Sequence, residues 1–117
     1  MKDAKKTKTK NELLPGTLEM LILKTLSTKA MHGYGIAQHI QTLSADVLTI
    51  EEGSLYPALQ RMLVKGWVSA EWKLSANNRR ARFYTLTMAG KKQLGVEASR
   101  FSEMFGAISR VMQMKTT

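Results

Sequence analysis

Few side chains in this sequence could perform catalysis or bind a metal. Glu51 and Glu52 form an adjacent carboxylate pair of the kind used in acid–base catalysis, but no nucleophile or pocket motif accompanies them. We therefore interpret them as charges that favour a helix N-terminus. His32 and His39 are the only histidines and cysteine is absent, so we expect no metal, no other cofactor and no enzymatic activity. At a helix entrance, His32 is expected to cap the helix or to contact a phosphate.

Basic side chains, in contrast, are abundant and indicate a polyanionic partner. The chain has 18 Lys and Arg against 9 Asp and Glu, a formal net charge of +9, which suits nucleic acid or an anionic membrane surface. No apolar run reaches the length of a membrane span, and the N-terminus lacks the apolar core of a signal peptide. The sequence therefore predicts a soluble, cytoplasmic protein without a membrane partner.

Residues 1–12 predict a flexible basic arm, because they carry lysines, two acidic residues and almost no apolar side chain. We expect this arm to be a solvated tail rather than a dedicated DNA-contacting element, since lysine-rich tails are common and carry no groove-specific pattern. Its charge would still add to the attraction between the chain and DNA.

Apolar periodicity predicts two helices after this arm. Thr17 is the candidate N-cap of the first helix, whose apolar residues occupy most of its sides and predict a largely buried element. A break at residues 30–33 precedes the second helix, in which one face carries Ile36, Ile40 and Leu43.

A third helix is predicted from the helical spacing of Leu55, Leu59 and Leu63. Ser54 fits its N-cap, which places Pro57 in the first turn, and Gly66 fits the C-terminal cap. The leucines face inward, so the outer face keeps polar groups of useful reach for base edges and phosphates. These are Ser54, Tyr56, Gln60, Arg61 and Lys65.

A two-stranded hairpin follows the third helix. Residues 67–74 alternate apolar and polar side chains at strand period, residues 75–78 have turn chemistry, and residues 82–86 are expected to form the returning strand. The tip and the return arm carry Arg79, Arg80 and Arg82. Three helices followed by a basic hairpin is the order of a winged helix-turn-helix.

The last segment predicts a long helix, from an N-cap at Thr87 to about Met114. Its apolar residues follow the spacing of a coiled-coil seam. A small domain cannot easily cover both this seam and the apolar first helix, so we predict a homodimer. The predicted dimer interface consists of Leu94, Ala98, Phe101, Met104, Phe105, Ile108 and Met112.

Five segments in this order resemble the PadR family of transcriptional regulators. They are LLPGTLEMLIL at 13–23, HGYGI at 32–36, EEGSLYPALQRM at 51–62, KGW at 65–67 and RRARFYTLTMAG at 79–90. The resemblance covers roughly residues 13–95, and GSLYPAL-x-R and Y-x-L-T-x-x-G are its most specific parts. The single C-terminal helix looks like that of the shorter branch of the family.

The resemblance implies a mainly α (α+β) fold, a winged helix-turn-helix with a two-stranded β wing and a long C-terminal dimerisation helix. It implies that the third helix enters the major groove of double-stranded DNA, that the wing follows the adjacent backbone or minor groove, and that the protein is a repressor. Such repressors are often released by a small molecule, here expected to be aromatic or drug-like. In some relatives aromatic groups at the dimer centre receive flat ligands; this helix has Phe101 and Phe105 but no Trp.

The expected organisation is a basic arm at 1–12, a DNA-binding domain at 13–86 and a dimerisation helix at 87–117. An RNA-binding or ribosome-associated protein is the alternative, because the charge suits any polyanion. Single-strand RNA readers usually expose aromatic rings on a sheet, whereas here polar groups gather on a helix and arginines on a hairpin. The expected DNA contacts are His32, Tyr34, Ser54, Tyr56, Gln60, Arg61, Lys65, Arg79, Arg80 and Arg82.

Overall fold

The structure, a computed structural model, describes residues 16–113. Within them the elements are, in order, α1 (Thr17–Leu26), β1 (Met31–His32), α2 (Gly33–Leu43), α3 (Glu52–Val64), β2 (Val68–Leu74), β3 (Arg80–Leu86) and α4 (Met88–Met112). The strands form one antiparallel sheet in the order β1-β3-β2. The predicted mainly α (α+β) winged helix is thereby confirmed. The basic arm at 1–12 and Met114 lie outside the described residues.

The core lies where α1, α2 and α3 pack together on the base of the sheet. Most apolar positions predicted from helical spacing are buried: Leu55 and Leu59 of α3 and Ile36 of α2 are almost completely inaccessible to solvent. Leu43, predicted on the same face of α2, is instead 73% exposed, because it is the last residue of that helix and extends beyond the core. Burying one such side chain is worth about 1.5–3 kcal/mol, so this packing fixes how the three helices lie. The complete buried apolar set is Ile22, Leu23, Leu26, Ile36, Ile40, Leu55, Ala58, Leu59, Met62, Val68 and Tyr84.

Two predicted N-caps were wrong, that of α1 by one residue and that of α3 by three. The N-cap of α1 is Gly16, at φ 85°, and Thr17 is already helical. In α3 the N-cap is Glu51, whose carbonyl accepts from the Ser54 and Leu55 N–H groups, both at 2.9 Å. Ser54 is therefore inside the helix and Pro57 lies in its second turn. The acidic groups of Glu51 and Glu52 stand at the positive end of the helix dipole, which favours this earlier start.

The end of α3 follows the prediction for Gly66. Gly66 has φ 77° and donates its N–H to the Leu63 carbonyl, while the Trp67 N–H donates to the Met62 carbonyl, both at 3.0 Å. This pair of bonds is the Schellman motif, for which glycine supplies the left-handed residue at low cost. The chain consequently leaves α3 in a fixed direction and enters β2.

The sheet has one strand more than predicted. The short strand β1 pairs with β3, with Met31 opposite Tyr84 and His32 opposite Phe83. The returning strand β3 starts at Arg80, two residues earlier than expected, and pairs with β2 from Val68 opposite Leu86 to Leu74 opposite Arg80. The wing is therefore attached at its base to the segment that leads into α2.

The N-cap of the long helix α4 is Thr87, as predicted. The Thr87 Oγ1 accepts from the Gly90 N–H at 3.0 Å and donates to the Gly66 carbonyl at 2.7 Å. One hydroxyl thus joins the end of α3 to the start of α4. Gly90 lies against the Trp67 carbonyl and the Leu86 side chain, where a Cβ would overlap both. Leu94 packs against the core, and most of the helix beyond it is exposed.

Candidate nucleic-acid interface

The outward ridge of α3 consists of Gly53, Pro57, Gln60 and Val64, which recur every three or four residues and are all exposed. Gln60 is the member of this ridge whose side chain can form hydrogen bonds, as both donor and acceptor. Val64 is 77% exposed. Gln60 was predicted from the sequence as a contact residue, and Pro57 and Val64 were not, although they stand on the same helical repeat and could have been found from it.

Ser54 and Tyr56 do not share this ridge. At about 100° per residue they lie on opposite flanks of α3, and Tyr56 leans towards the start of α2. A Cβ at Gly33 would come within 2.6 Å of the Tyr56 ring, so the missing side chain there makes room for the tyrosine. Tyr56 remains 43% exposed.

The hydroxyl of Tyr56 is held in its protonated form. Partial burial is the largest cause that raises the pKa of Tyr56 above its usual value of 10.0, followed by the nearby charge of Glu52 and by Tyr84. A protonated phenol can both donate and accept a hydrogen bond. It can therefore meet a phosphate oxygen as a donor without adding a repelling charge.

The guanidinium of Arg61 is already bound within the chain. Its Nε and Nη2 donate to Glu19 Oε2 of α1, at 3.2 and 2.9 Å. Arg61 is one of the predicted DNA contacts, and the ion pair directs it to α1 on the flank opposite Tyr56. Lys65, at the C-terminal end of α3, lies with its Nζ 4.6 Å from the centre of the Trp67 ring.

The wing presents cations and aromatic rings on one face. In the pairing of β2 with β3, Trp72 lies opposite Arg82 and Leu74 lies opposite Arg80, so these four side chains share one face of the wing. Nearer the core, the same face carries Val68 and Tyr84. The Arg80 guanidinium lies 5.3 Å from the centre of the Trp72 ring. That of Arg82 lies 5.9 Å from the centre of Tyr84. Trp72 is nevertheless 58% exposed, so the tip of this face is open to a partner.

The turn of the wing is closed by its own hydrogen bonds. The Ser75 N–H donates to the Arg79 carbonyl at 2.7 Å, and Asn78 adopts φ 62°, a left-handed conformation that asparagine tolerates. Arg79 follows immediately and is exposed. The turn therefore presents Arg79 and Arg80 to solvent next to one another.

His32 acts as the N-cap of α2. Its Nδ1 accepts from the Gly35 N–H at 2.9 Å, which leaves Nε2 as the nitrogen that can donate to a partner. The ring packs edge-on against Phe83 at 5.3 Å and stacks near Tyr34 at 6.4 Å. The predicted capping role of His32 is thus confirmed.

A single cleft of about 380 Å³ brings together six of the predicted contact residues: His32, Tyr34, Tyr56, Arg79, Arg80 and Arg82. Trp72 and Tyr84 line it as well, although neither was predicted from the sequence as a contact. Ser54, Gln60, Arg61 and Lys65 lie outside its lining. The cleft lies between the wing, the first turn of α2 and the Tyr56 side chain in the second turn of α3.

The second half of α4 exposes an apolar stripe. Phe101, Phe105, Ile108 and Met112 are all between 44% and 76% exposed, and the rings of Phe101 and Phe105 stack with centres 5.8 Å apart. Ala98 and Met104 are exposed on or beside the same stripe, whereas Leu94 is partly buried against the core of its own chain. These are the residues of the predicted dimer interface.

Residues 16–113 contain neither a cluster of metal ligands nor a membrane span. Within that range no group of three or more His, Asp or Glu side chains is arranged to hold a metal ion. None of the helices that the structure describes is long and apolar enough to cross a bilayer.

Comparison with known proteins relates both the sequence and the fold to bacterial regulators. Residues 22–96 match the family described as the transcriptional regulator PadR-like family. A PadR family transcription regulator from Clostridium difficile is 26% identical, with a TM-score of 0.70 over 83% of this chain and 99% of that one. A PadR-like transcription factor from Bacteroides fragilis is 26% identical, with a TM-score of 0.67 over 93% and 98% of the two chains. A PadR-like transcriptional regulator from Bacillus cereus, 24% identical, has the same fold with a TM-score of 0.74 over 86% and 95%.

Proposed function

Because this chain belongs to the PadR-like family of transcriptional regulators and is therefore a DNA-binding regulator, we propose that it is a repressor that binds a double-stranded operator as a homodimer. The observation that carries this proposal is the shared cleft. Wing arginines, the first turn of α2 and Tyr56 of α3 line it together, so a duplex on this side meets the wing and both helices at once. That is how winged helix-turn-helix proteins dock on DNA.

In this proposal α3 lies in the major groove and the wing grips the adjacent backbone. Gln60, at the centre of the exposed ridge, reads a base edge, and its amide suits the N6 and N7 atoms of adenine. Arg79, Arg80 and Arg82 contact phosphates, which position the protein without reading sequence. Tyr34, His32 and Tyr56 supply hydrogen-bond donors along the cleft, and Ser54 and Lys65 contact the backbone near the two ends of α3.

The dimer is proposed to form through α4. The stripe that includes Phe101 and Phe105 has no covering element within residues 16–113, and two such stripes from two copies would bury one another in a coiled-coil seam. The working division of the chain is then the basic arm at 1–12, the DNA-binding domain at 13–86 and the dimerisation helix at 87–117. A dimer places two copies of α3 on one duplex, which favours an operator with two inverted half-sites.

An aromatic or drug-like molecule is the proposed inducer. The stacked rings of Phe101 and Phe105 would stand near the dimer seam, and flat aromatic molecules pack well against such rings. Binding there would alter how the two α4 helices cross and hence the distance between the two copies of α3. A role in regulation rather than catalysis, in the cytoplasm where the chromosome is accessible, completes the proposal.

The experiment is selection of bound duplexes from a random DNA pool, followed by titration of the selected duplex, a scrambled duplex and an RNA of the same sequence. We expect two related half-sites about 10–10.5 base pairs apart, or a multiple of that spacing, and much weaker binding of RNA. Equal affinity for the RNA would instead support the RNA-binding alternative. A reporter gene behind the selected operator then measures repression. Aromatic compounds are tested for their ability to restore expression of the reporter.

A further inference from the structure

We propose that Arg61 is a positioning residue: through its ion pair with Glu19 it sets the orientation of α3, and it does not itself read the bases. The inference rests on the proposed use of α3 as the reading helix. Arginine on such a helix is ordinarily a candidate to recognise guanine through two parallel hydrogen bonds. Here two of its nitrogens are already committed to one carboxylate oxygen of α1, at 3.2 and 2.9 Å.

The environment of the pair favours its persistence. The Glu19 side chain is only 15% exposed, against 54% for Arg61, so the carboxylate is much less available to water than its partner is. A mostly buried carboxylate deprived of its arginine would be left largely unpaired, which is unfavourable. Rotation of Arg61 towards DNA would therefore act against the burial of Glu19.

The position of the pair gives it a geometric consequence. On one flank of α3 the Tyr56 ring fills the space beside Gly33, and on the other flank Arg61 is tied to α1. Restraint on both flanks limits rotation of α3 about its own axis. A binding site requires its groups within about 10–20° of the productive orientation, so the ion pair would control whether Gln60 meets its base.

The test measures affinity for the selected operator and for random duplex, at several salt concentrations, in Glu19→Gln, Arg61→Ala and the charge swap Glu19→Arg/Arg61→Glu. Positioning predicts that both single changes lower the operator-to-random ratio by about fivefold or more, the equivalent of one base contact. The slope of affinity against salt stays unchanged, because the protein still binds the same number of phosphates. The charge swap restores the ratio at least in part.

The controls separate this inference from its premises. Glu103→Gln removes the same charge on α4 and is expected to leave the ratio unchanged, and thermal melts establish that each variant is folded at the temperature of measurement. One outcome overturns the inference: Glu19→Gln leaves the operator-to-random ratio unchanged, and Arg61→Ala lowers the magnitude of the salt slope by about 0.9. That result means that Arg61 contacts DNA directly. If Gln60→Ala lowers the ratio and both single changes at the ion pair leave it unchanged, the positioning role of Arg61 is wrong and the reading role of α3 stands. If Gln60→Ala and Tyr56→Ala are also silent, the reading role of α3 fails instead.

Discussion

Gln60 and Tyr56 differ in what they can contribute to recognition, although both are exposed on α3. Gln60 stands on the outward ridge with its amide unobstructed, whereas Tyr56 leans over Gly33 and opens into the cleft. A residue on the ridge can reach base edges, and a residue in the cleft is nearer to the backbone of the same duplex. The two substitutions therefore test different parts of one interface.

Replacement of Gln60 by alanine should lower the operator-to-random affinity ratio by the equivalent of about 1–3 kcal/mol, because alanine cannot form the hydrogen bonds to the base edge. Tyr56→Ala should lower it too, since Tyr56 steadies α3 against α2. The melting temperature should change little for Gln60→Ala.

Leu59→Ala is the contrast: Leu59 is fully buried, so its truncation should cost about 2–5 kcal/mol of stability and weaken all binding together.

The raised pKa of Tyr56 predicts a dependence of stability on alkaline pH. Because the pKa is higher in the folded than in the unfolded chain, the stabilising contribution is complete below pH 10 and is lost as the pH rises through the folded value. Wild-type protein should therefore lose more stability than Tyr56→Phe between pH 9 and pH 11, by thermal melting. Glu52→Gln removes one of the causes and should lower the pKa, measured from phenolate absorbance. Equal losses in wild type and Tyr56→Phe would contradict this.

The wing and α4 are the elements whose attachment to the core determines the interface. The wing is tied at its base by β1, and α4 is tied to the end of α3 through the Thr87 hydroxyl. The exposed arginines thus stand on a braced hairpin.

The wing is expected to bind phosphates. Changing Arg79 and Arg80 together to alanine should lower the magnitude of the log–log slope of affinity against salt by about 0.9 for each phosphate that the variant no longer binds. Operator and random DNA should weaken alike, because phosphate contacts carry no sequence information. Lys91 and Lys92, exposed on α4, give a matched double substitution that removes the same charge from another surface. If the two double variants behave identically, the wing has no special role.

The start of α4 should be intolerant of a single methyl group. Gly90→Ala places a Cβ against the Trp67 carbonyl and Leu86, so we expect a loss of about 1–3 kcal/mol in the free energy of unfolding. Gly95, in the same helix, has nothing within 4 Å of an added Cβ. Gly95→Ala should therefore stabilise the protein by about 0.5–1 kcal/mol. Denaturant unfolding of the two variants measures both effects, and a Gly90→Ala protein as stable as Gly95→Ala would refute the packing described.

Sequence patterns predicted the order of the elements because each long element has its own periodicity and end signals. The buried faces of α2 and α3, the glycine that ends α3 and the threonine that begins α4 are local features of this kind. The short strand β1 escaped prediction since two residues, Met31 and His32, cannot display a strand period. The Glu19–Arg61 pair joins positions 42 residues apart, and such an ion pair exists only after the helices have packed. The pair directs the exposed Arg61 guanidinium towards α1, which the helical spacing that placed Arg61 on the outer face could not indicate.

A single copy of the chain leaves the apolar stripe on α4 exposed, and the dimer proposal can be tested on it directly. Replacing both Phe101 and Phe105 by glutamate should give monomers, because burying unpaired charges in a seam is costly. Ser99→Glu with Ala107→Glu adds the same charge to the opposite side of the helix and should leave the dimer intact. Sedimentation distinguishes the species. Wild-type protein that is monomeric at micromolar concentration would rule out the dimer through α4.

The length of α4 also has a consequence for gene control. Its last two or three turns are largely exposed and pack little against their own chain, and isolated helical segments of that size are marginal in water. Their order would then come from a second copy, so the amides of residues beyond 101 should exchange with deuterium more slowly as the protein is concentrated. By mass action the concentration of the dimer rises faster than in proportion to the total concentration of the chain. A cell that doubled its supply of this regulator would more than double the amount able to occupy an operator, until pairing was complete.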